Sequence, residues 1–234
     1  MDGNGWDWWY GVSHDPNGTY NREACRGGTG LPVPTATACM IQRPKLLEFV
    51  DSKDVLIAGT ATNQVLTFKN SPFWTLHPTF CVGVRMANLS VLAPRDHGNT
   101  DGVDPDSCDD VHVTDVTIDV GDDAVSVKAG LHWKTKKKVA AQNYLFERVT
   151  ILHRNFAIGS DVSGDVINIT FKDGIIGDES GSSPWAIKLK TDSQEGGIVD
   201  GIKFLNLTIG NITYCGSSAF VYNPPHSAYS FLRY

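Results

Sequence analysis

The sequence predicts an all-β fold, a right-handed parallel β-helix in which short strands coil about an axis and each coil stacks on the previous one. Three observations favour this fold. Short β-branched phrases recur along the chain, further short apolar segments flank each phrase, and no window of about a dozen residues keeps the 3.6-residue period of an amphipathic helix. Three short strands that recur as a unit, without helices, are typical of a β-solenoid.

The recurring phrase has the form x-V/L-S/T-I/V/F, with degenerate copies. The copies are VLTF at residue 65, NLSV at 88, DVTI at 115, RVTI at 148, DGII at 173 and NLTI at 206. Their starting points lie about 23 to 33 residues apart, which suits one coil of three strands. A β-sandwich also has regular strands and turns, but it does not explain why the flanking segments keep the same order around every copy.

The chain of 234 residues is long enough to bury a full core as one domain. We expect a single partial β-helix over residues 1–234, in which 1–50 form an N-terminal segment with a loop and 51–234 form regular coils. Alternate residues of a strand point to opposite faces, so inward positions should be apolar while loops and outward positions carry carboxylates. The expected inward residues are Val111, Val113, Val116, Ile118, Val125 and Val127.

Composition and charge argue against several kinds of partner. A formal net charge of −6 disfavours nucleic acid and anionic membranes, and no apolar run approaches the length of a membrane span. We expect no nucleic-acid or membrane partner, and a monomer. The five cysteines contain no C-x-x-C pair, so they do not form a zinc site, and at least one of them is unpaired.

Five N-x-S/T triplets favour a secreted protein. Met1 is followed directly by DGNGWDWW rather than by a signal peptide, so we expect the chain to start late in its parent sequence. The triplets begin at Asn17, Asn88, Asn168, Asn206 and Asn211.

Several polar residues that could act in catalysis or binding come after the recurring phrases. They lie at comparable positions in successive coils. Stacked coils lie about 4.8 Å apart, so these residues would form a ladder along one groove, with carboxylates close enough for glycoside hydrolysis. Crowded carboxylates raise one another's proton affinity, which lets one remain an acid while another stays an ionised base. The candidates are Asp101 after the phrase at 88, Asp122 and Asp123 after that at 115, His153 after that at 148, and Lys188 and Lys190 after that at 173.

The aspartates and the histidine also have structural interpretations. Asp122 and Asp123 follow Gly121, which permits the bend that neighbouring aspartates need to share a site. Aspartates in a turn can equally cap backbone amides. His153 could be an ordinary polar group, with Arg154 facing the groove in its place.

Three further motifs leave alternatives open. Lys188 and Lys190 alternate with apolar residues, so both share an outward face that suits either an acidic sugar or plain solvent. The acidic run DPDSCDD lacks the glycine and glutamate of an EF-hand, and we expect no metal or cofactor site. In WDWWYG, we expect Trp8 and Trp9 to pack against the first coils rather than to stack on a sugar.

The sequence resembles the polygalacturonases of glycoside hydrolase family 28, which are pectin-degrading right-handed parallel β-helices. The motifs that carry the resemblance are DGNGWDWW, RPKLLEFVDSKDVLIAG, NSPFWTLHP, NTDGVDPDSC, GDDAVSVKAG, FAIGSDVSGDV and IKLKT, in family order from Asp2 to about Ile212. The resemblance implies hydrolysis of α-1,4 links between galacturonates in an acidic polysaccharide, with inversion and without a metal or other cofactor. The phrase FAIGSDVSGDV is closer to the exo-acting bacterial and plant-like branches than to the fungal endo-enzymes.

The resemblance also implies roles for the aspartates. Asp122 would protonate the leaving oxygen, while Asp101 and Asp123 would hold and activate the water on the opposite side of the sugar ring. Asn99 would shape the loop around Asp101.

Three departures from the family pattern bear on binding. The family's G-H-G histidine corresponds to His153, which lacks both glycines, so Arg154 competes for its place. The family's R-I-K corresponds to Lys188 to Lys190, and lysine at 188 loses the planar fork that grips a carboxylate. The downstream tyrosine has only Tyr222 as a candidate. We expect a chain truncated at both ends.

Two other functions remain open. A catalytically weak or inactive β-solenoid would bind polysaccharide without turnover. A calcium-dependent lyase on a similar solenoid would lose activity with a chelator and would give an unsaturated product.

Overall fold

The computed structural model describes residues 1–10, 43–60, 64–132, 134–178, 180, 183–192 and 196–221. These residues form one short helix, α1 (Gly5–Tyr10), and sixteen strands. The first eight strands are β1 (Leu47–Val50), β2 (Lys53–Ala58), β3 (Leu66–Lys69), β4 (Leu76–Thr79), β5 (Val82–Leu92), β6 (Asp109–Asp119), β7 (Val125–Ala129) and β8 (Ala141–Ile151). The others are β9 (Phe156–Val162), β10 (Val166–Lys172), β11 (Ile175–Ile176), β12 (Ser183–Asp192), β13 (Val199–Asp200), β14 (Lys203–Leu205), β15 (Thr208–Ile209) and β16 (Ile212–Val221).

The named strands pair in parallel, each with the strand one coil away. The largest sheet has the order β13-β10-β8-β6-β5-β2, a second has β16-β12-β9-β7, and a third joins β1 to β4. These are the stacked coils of a parallel β-helix of about five turns, so the predicted fold class is confirmed. All six recurring phrases overlap strands, in β3, β5, β6, β8, β11 and β15. Stacking already begins at β1, which pairs with β4.

Apolar ladders along the axis form the core. The register places Met86, Val113, Phe146, Phe171 and Phe204 one above the other on successive coils. Each coil therefore buries its inward face against the neighbouring coils, which a single coil could not do alone. The predicted inward residues are all buried, namely Val111, Val113, Val116, Ile118, Val125 and Val127.

The corners of the coils explain why aspartate and asparagine are so frequent. At these corners the backbone has a positive φ, a conformation that glycine adopts freely and that asparagine and aspartate tolerate better than other residues. One column of corners contains Asp54, Gly83, Asp110, Asn143, Asn168 and Gly201, and another contains Asn88, Asp115, Arg148, Asp173 and Asn206. Two of the nine aspartates in region 97–130, Asp110 and Asp115, therefore lie where the geometry of the coil favours them.

Three of the N-x-S/T triplets coincide with these corners. Asn88, Asn168 and Asn206 each occupy a positive-φ corner and are followed by an inward apolar residue and then by an outward serine or threonine. The side-chain amide of Asn168 donates to Oδ1 of Asn143 at 2.9 Å, and that of Asn206 donates to Oδ1 of Asp173 at 2.7 Å. The triplet thus recurs for a structural reason.

The N-terminal helix packs on the first coils through one of its tryptophans. Trp9 is buried, its indole N–H donates to the carbonyl of Pro72 at 3.1 Å, and its ring stacks on His97 at 4.4 Å between centroids. The expected packing is therefore confirmed for Trp9, whereas Trp8 is 38% exposed. No helix in the described ranges is long and apolar enough to cross a membrane.

Two cysteines meet at one corner of neighbouring coils. Cys81 and Cys108 are buried free thiols, and the backbone N–H of Cys81 donates to Sγ of Cys108 at 3.3 Å. Cys25 and Cys39 lie outside the described residues.

Candidate active site

Three carboxylates meet on one side of the coils. Asp101 lies two residues before Val103, which bridges to Val125 of β7 on the next coil. Asp122 and Asp123 lie in the turn between β6 and β7. One carboxylate oxygen from each aspartate lies within 4.8 Å of the others. Stacking thus brings together side chains from two coils, and we call these three residues the aspartate cluster.

The turn that carries two of these aspartates needs glycine because another backbone approaches it closely. A Cβ atom at Gly121 would lie 2.1 Å from the carbonyl oxygen of His97 and 2.5 Å from that of Pro94. The hydroxyl of Thr100 donates to the His97 carbonyl at 2.7 Å and accepts the N–H of Gly121 at 3.1 Å. The loop before Asp101 and the turn after β6 are therefore joined directly.

Backbone donors hold the carboxylate of Asp122. Its Oδ2 accepts the N–H of Asn99 at 2.7 Å, and its Oδ1 accepts the N–H of Asp123 at 2.9 Å. Asn99 itself has a positive φ, and its Oδ1 accepts from the guanidinium of Arg43 at 3.0 Å. Arg43 also donates to the carbonyl of Gly98 at 3.2 Å. The backbone of Asn99 thus positions Asp122, and its predicted role at the loop around Asp101 stays a prediction.

Side chains from the next two coils hold Asp123. Its Oδ1 accepts the side-chain amide of Asn155 at 2.9 Å, and its Oδ2 forms an ion pair with the ammonium of Lys190 in β12. Asp123 is buried. A carboxylate placed in this way has a fixed orientation and a compensated charge.

Asp101 has a different environment. It is 4% exposed, and no hydrogen-bond donor reaches its Oδ1 from the described part of the chain. Burial, together with the charges of Asp122 and Asp123, raises the pKa of Asp101 to about 8. The unliganded cluster therefore holds a proton on Asp101 at neutral pH. The resemblance assigns the acid role to Asp122, one of whose carboxylate oxygens lies within 4.8 Å of one on Asp101.

His153 and Arg154 lie beside the same turn. Nδ1 of His153 lies 2.7 Å from the carbonyl of Val120, two residues before Asp122, so Nδ1 carries the hydrogen and Nε2 can accept. Burial lowers the pKa of His153, and the charge of Arg154 acts in the same direction. The N–H of Arg154 donates to the hydroxyl of Ser183 at 2.7 Å. His153 thus touches the segment that leads to Asp122, and the roles of both residues stay predictions.

Lys188, the other predicted lysine of β12, contacts a tryptophan instead of an aspartate. The ammonium of Lys188 lies 4.4 Å from the ring centroid of Trp185, and its side chain is half-buried. Burial lowers the pKa of Lys188, while the charge of Asp123 opposes this effect. Only Lys190 of the pair touches the cluster, so the two lysines do not act alike in the unliganded chain.

The aspartate cluster is the one group of three His, Cys, Asp or Glu side chains in the described ranges whose ligand atoms converge enough to hold a metal ion. Oxygen ligands of this kind suit Ca²⁺ or Mg²⁺. We assign no ion to it, because Lys190 already supplies a positive charge at Asp123.

Sequence reasoning missed two residues that hold the site. Asn155 lies one coil later, opposite Ala124 and next to Asp123, because Val125 pairs with Phe156, and counting along the repeat could have placed it near the cluster. Arg43 lies outside the repeat and carries no signal in the sequence, although it fixes Asn99.

Replacing Asp101 should make the fold less sensitive to pH. The folded state holds the Asp101 proton more tightly than the unfolded chain does, so stability is lost as pH rises from the ordinary pKa of 3.8 to about 8. We expect Asp101→Asn to raise the free energy of unfolding at pH 7.5 by about 1 to 3 kcal/mol, with little difference at pH 4. Denaturant titrations at several pH values measure this. The exposed control Asp54→Asn should follow the parent chain, and an equal gain for Asp101→Asn at both pH values would contradict the assignment.

The chain is a parallel β-helix that carries a cluster of three carboxylates. These two features define its class, a β-solenoid with a carboxylate site. Residues 35–222 match the model of Glycosyl hydrolases family 28, and the chain belongs to that family.

Relatives and solved structures agree with this membership. A protein of Vitis vinifera named as a probable polygalacturonase is 32% identical over 172 residues, which cover 71% of this chain and 33% of the relative. Polygalacturonase-2 of Solanum lycopersicum is 27% identical over 222 residues, 92% of this chain and 39% of the relative. The matched part of the chain thus spans 33 to 39% of the length of these relatives.

The solved structure of an exopolygalacturonase from Thermotoga maritima has a TM-score of 0.61 with 23% identity, over 88% of this chain and 50% of that one. At this identity the likeness shows the fold alone.

Proposed function

We propose that the chain carries the site of an inverting glycoside hydrolase that cleaves α-1,4-galacturonosidic bonds in pectin-type polysaccharide. One observation carries the hydrolytic part of the proposal: three carboxylates converge within 4.8 Å in three different environments. Inversion follows from the resemblance to the family and not from this spacing. Glycoside hydrolysis needs a carboxylic acid and a carboxylate at one bond. The relatives named as polygalacturonases support the choice of substrate.

The cluster would supply both groups. One oxygen from each aspartate lies within 4.8 Å of the others, so a proton held on Asp101 can pass to Asp122. Asp122 then gives a proton to the leaving oxygen as the glycosidic bond breaks. Asp101 and Asp123 orient a water on the opposite face and accept one proton from it as its oxygen bonds to the anomeric carbon. The cluster ends with as many protons as it began with.

Positive groups around the cluster suit a uronate. Lys190 lies at Asp123, and the charges of Lys188 and Arg154 lie near enough to affect one another. The attraction between the carboxylate of an anionic sugar and these positive groups would partly offset the cost of removing that carboxylate from water. Lys188 grips a carboxylate as a point charge rather than a planar fork, so we expect less orientation of the sugar than arginine would give.

Three finer properties belong to the same proposal. Secretion rests on the five N-x-S/T triplets, three of which also have the structural reason given above, and action as a monomer is an expectation. Exo action is supported by the phrase FAIGSDVSGDV. The names of relatives divide on this last point, since one from Pectobacterium carotovorum is an endo-polygalacturonase. Sizing the products from a defined oligogalacturonate separates exo from endo action.

We expect the 234-residue chain to release reducing ends from polygalacturonate, and the first product to have the inverted anomeric configuration. A reducing-sugar assay, followed by NMR of the anomeric proton in the first minutes, measures both. A folded chain that binds oligogalacturonate without turnover would favour the inactive binding solenoid instead. An unsaturated product that disappears with chelator would identify a lyase.

A further inference from the structure

Two cysteines that take no part in the proposed reaction occupy equivalent places on neighbouring coils. Cys81 directly precedes β5 and Cys108 directly precedes β6, and the register pairs Val82 with Asp109. Residues in register on neighbouring strands lie about 4.8 Å apart. The Cα atoms of a disulfide lie about 4.4 to 6.8 Å apart. The stacking of the coils therefore places the two cysteines at the separation that a disulfide needs.

The sulfur atoms of this pair lie against the same short segment of chain. Sγ of Cys108 accepts the backbone N–H of Cys81 at 3.3 Å and lies 3.4 Å from the carbonyl oxygen of Pro78. Sγ of Cys81 lies 3.4 Å from the carbonyl oxygen of Thr79. The side chain of Cys108 thus reaches across to the coil of Cys81. Both cysteines are 1% exposed, so the two thiols meet away from solvent.

We propose that this pair is a site of oxidative modification, at which a small peroxide joins Cys81 to Cys108 in a disulfide. The two cysteines are 27 residues apart, and the chain between them forms one coil, which carries Asn99 and Asp101. The disulfide would close this coil into a ring and so restrain the loop that supplies one aspartate of the cluster. Disulfides persist in oxidising compartments such as the extracellular space. The proposal therefore agrees with the expected secretion, and it does not depend on hydrolysis.

The two thiols have different parts in the reaction. The hydrogen bond from the Cys108 thiol lowers the pKa of Cys81, and the same hydrogen bond raises the pKa of Cys108, so Cys81 ionises first. The Cys81 thiolate attacks one oxygen of the peroxide, the O–O bond breaks, and a sulfenic acid forms. The hydroxide that leaves takes up the proton lost from Cys81 and becomes water.

The second step forms the crosslink. Sγ of Cys108 bonds to Sγ of Cys81 and displaces the hydroxyl group of the sulfenic acid, which leaves as water with the proton of the Cys108 thiol. The two sulfur atoms together lose two electrons, and the peroxide is reduced to two molecules of water. A small oxidant suits this site because both thiols are buried.

The test treats the full 234-residue chain, first reduced, with hydrogen peroxide at neutral pH. Peptide mapping without reduction should then recover one crosslinked peptide that contains Cys81 and Cys108. A disulfide removes freedom from the unfolded chain, so the oxidised chain should melt about 5 to 10 °C above the reduced chain. Recovery of Cys81 and Cys108 as free thiols, as a sulfinic acid, or in crosslinks to other cysteines would overturn the proposal.

Two variants separate the crosslink from other effects of peroxide, and neither measurement uses a substrate. Cys215→Ser removes an exposed free cysteine, so this variant should form the crosslink and show the same rise in melting temperature. Cys108→Ala removes one partner, so peroxide should not raise its melting temperature, and an equal rise would overturn the proposal. If Cys108→Ala does not fold, Cys81→Ala makes the same comparison, and the peptide map of the parent chain decides without either variant.

Discussion

Asp122→Asn is expected to reduce hydrolysis of polygalacturonate by about 10²- to 10⁴-fold. The amide cannot deliver a proton to the leaving oxygen, although it has nearly the shape of the carboxyl group. The backbone N–H groups of Asn99 and Asp123 donate to different oxygens of Asp122, so the amide keeps one of these two hydrogen bonds. Because the substitution removes the proton and no contact to the sugar, we expect kcat to fall while KM changes little. Initial rates of reducing-end release over a range of polygalacturonate concentrations measure both.

Asp110→Asn is the matched control for that experiment. Asp110 lies on the same coil, but at an exposed corner, where it pairs with Arg85 on the surface. An exposed ion pair contributes little to stability, so this variant should keep its activity within about twofold of the parent. If Asp122→Asn retains a tenth or more of the parental rate, Asp122 is not the acid. Asp101, which already holds a proton, is then the first residue to test.

The sequence predicts the fold well because its signal is local and repeated. Alternation in β6 fixes which residues point inwards, and the burial of Val111, Val113, Val116 and Ile118 depends on nothing outside the coil and its neighbours. The corners were harder to predict. Arg148 has the same positive φ as the asparagines of its column, and no propensity rule selects arginine there, because the neighbouring coils impose the conformation.

The sequence could predict on which coil each site residue lies, but it could not predict the hydrogen-bond partners of that residue. The phase of the repeat was enough to expect the aspartates of the cluster on one side of the molecule. Their partners depend on finer geometry, since the donors to Asp122 are backbone N–H groups and one oxygen of Asp123 takes an amide from Asn155. Sequence spacing does not reveal the direction of a side chain at a turn. Alternation alone treats Lys188 and Lys190 as equivalent, and only Lys190 reaches an aspartate.

Phe156 links the core to the site, and its truncation should have the largest effect on stability. The ring is buried, stacks on Phe171 at 5.1 Å, and meets Phe146 and Phe204 edge-on at 5.1 and 5.7 Å. Aromatic residues packed in this way give most of the apolar burial in a core. We expect Phe156→Ala to lower the free energy of unfolding by about 3 to 5 kcal/mol, because the lost contacts leave a cavity between rigid coils.

The same substitution should also weaken the site, since Asn155 precedes Phe156 directly and its amide holds Asp123. Guanidinium unfolding measures the stability, and Phe156→Leu, which leaves a smaller cavity, should lose less. The outward Ile175 is 43% exposed, so Ile175→Ala should stay within about 0.5 kcal/mol of the parent. Coils interact mainly with their neighbours, so the transition should also broaden as the coils on either side of Phe156 become uncoupled. A loss below about 1 kcal/mol for Phe156→Ala, with a sharp transition, would show that these rings do not carry the stacking.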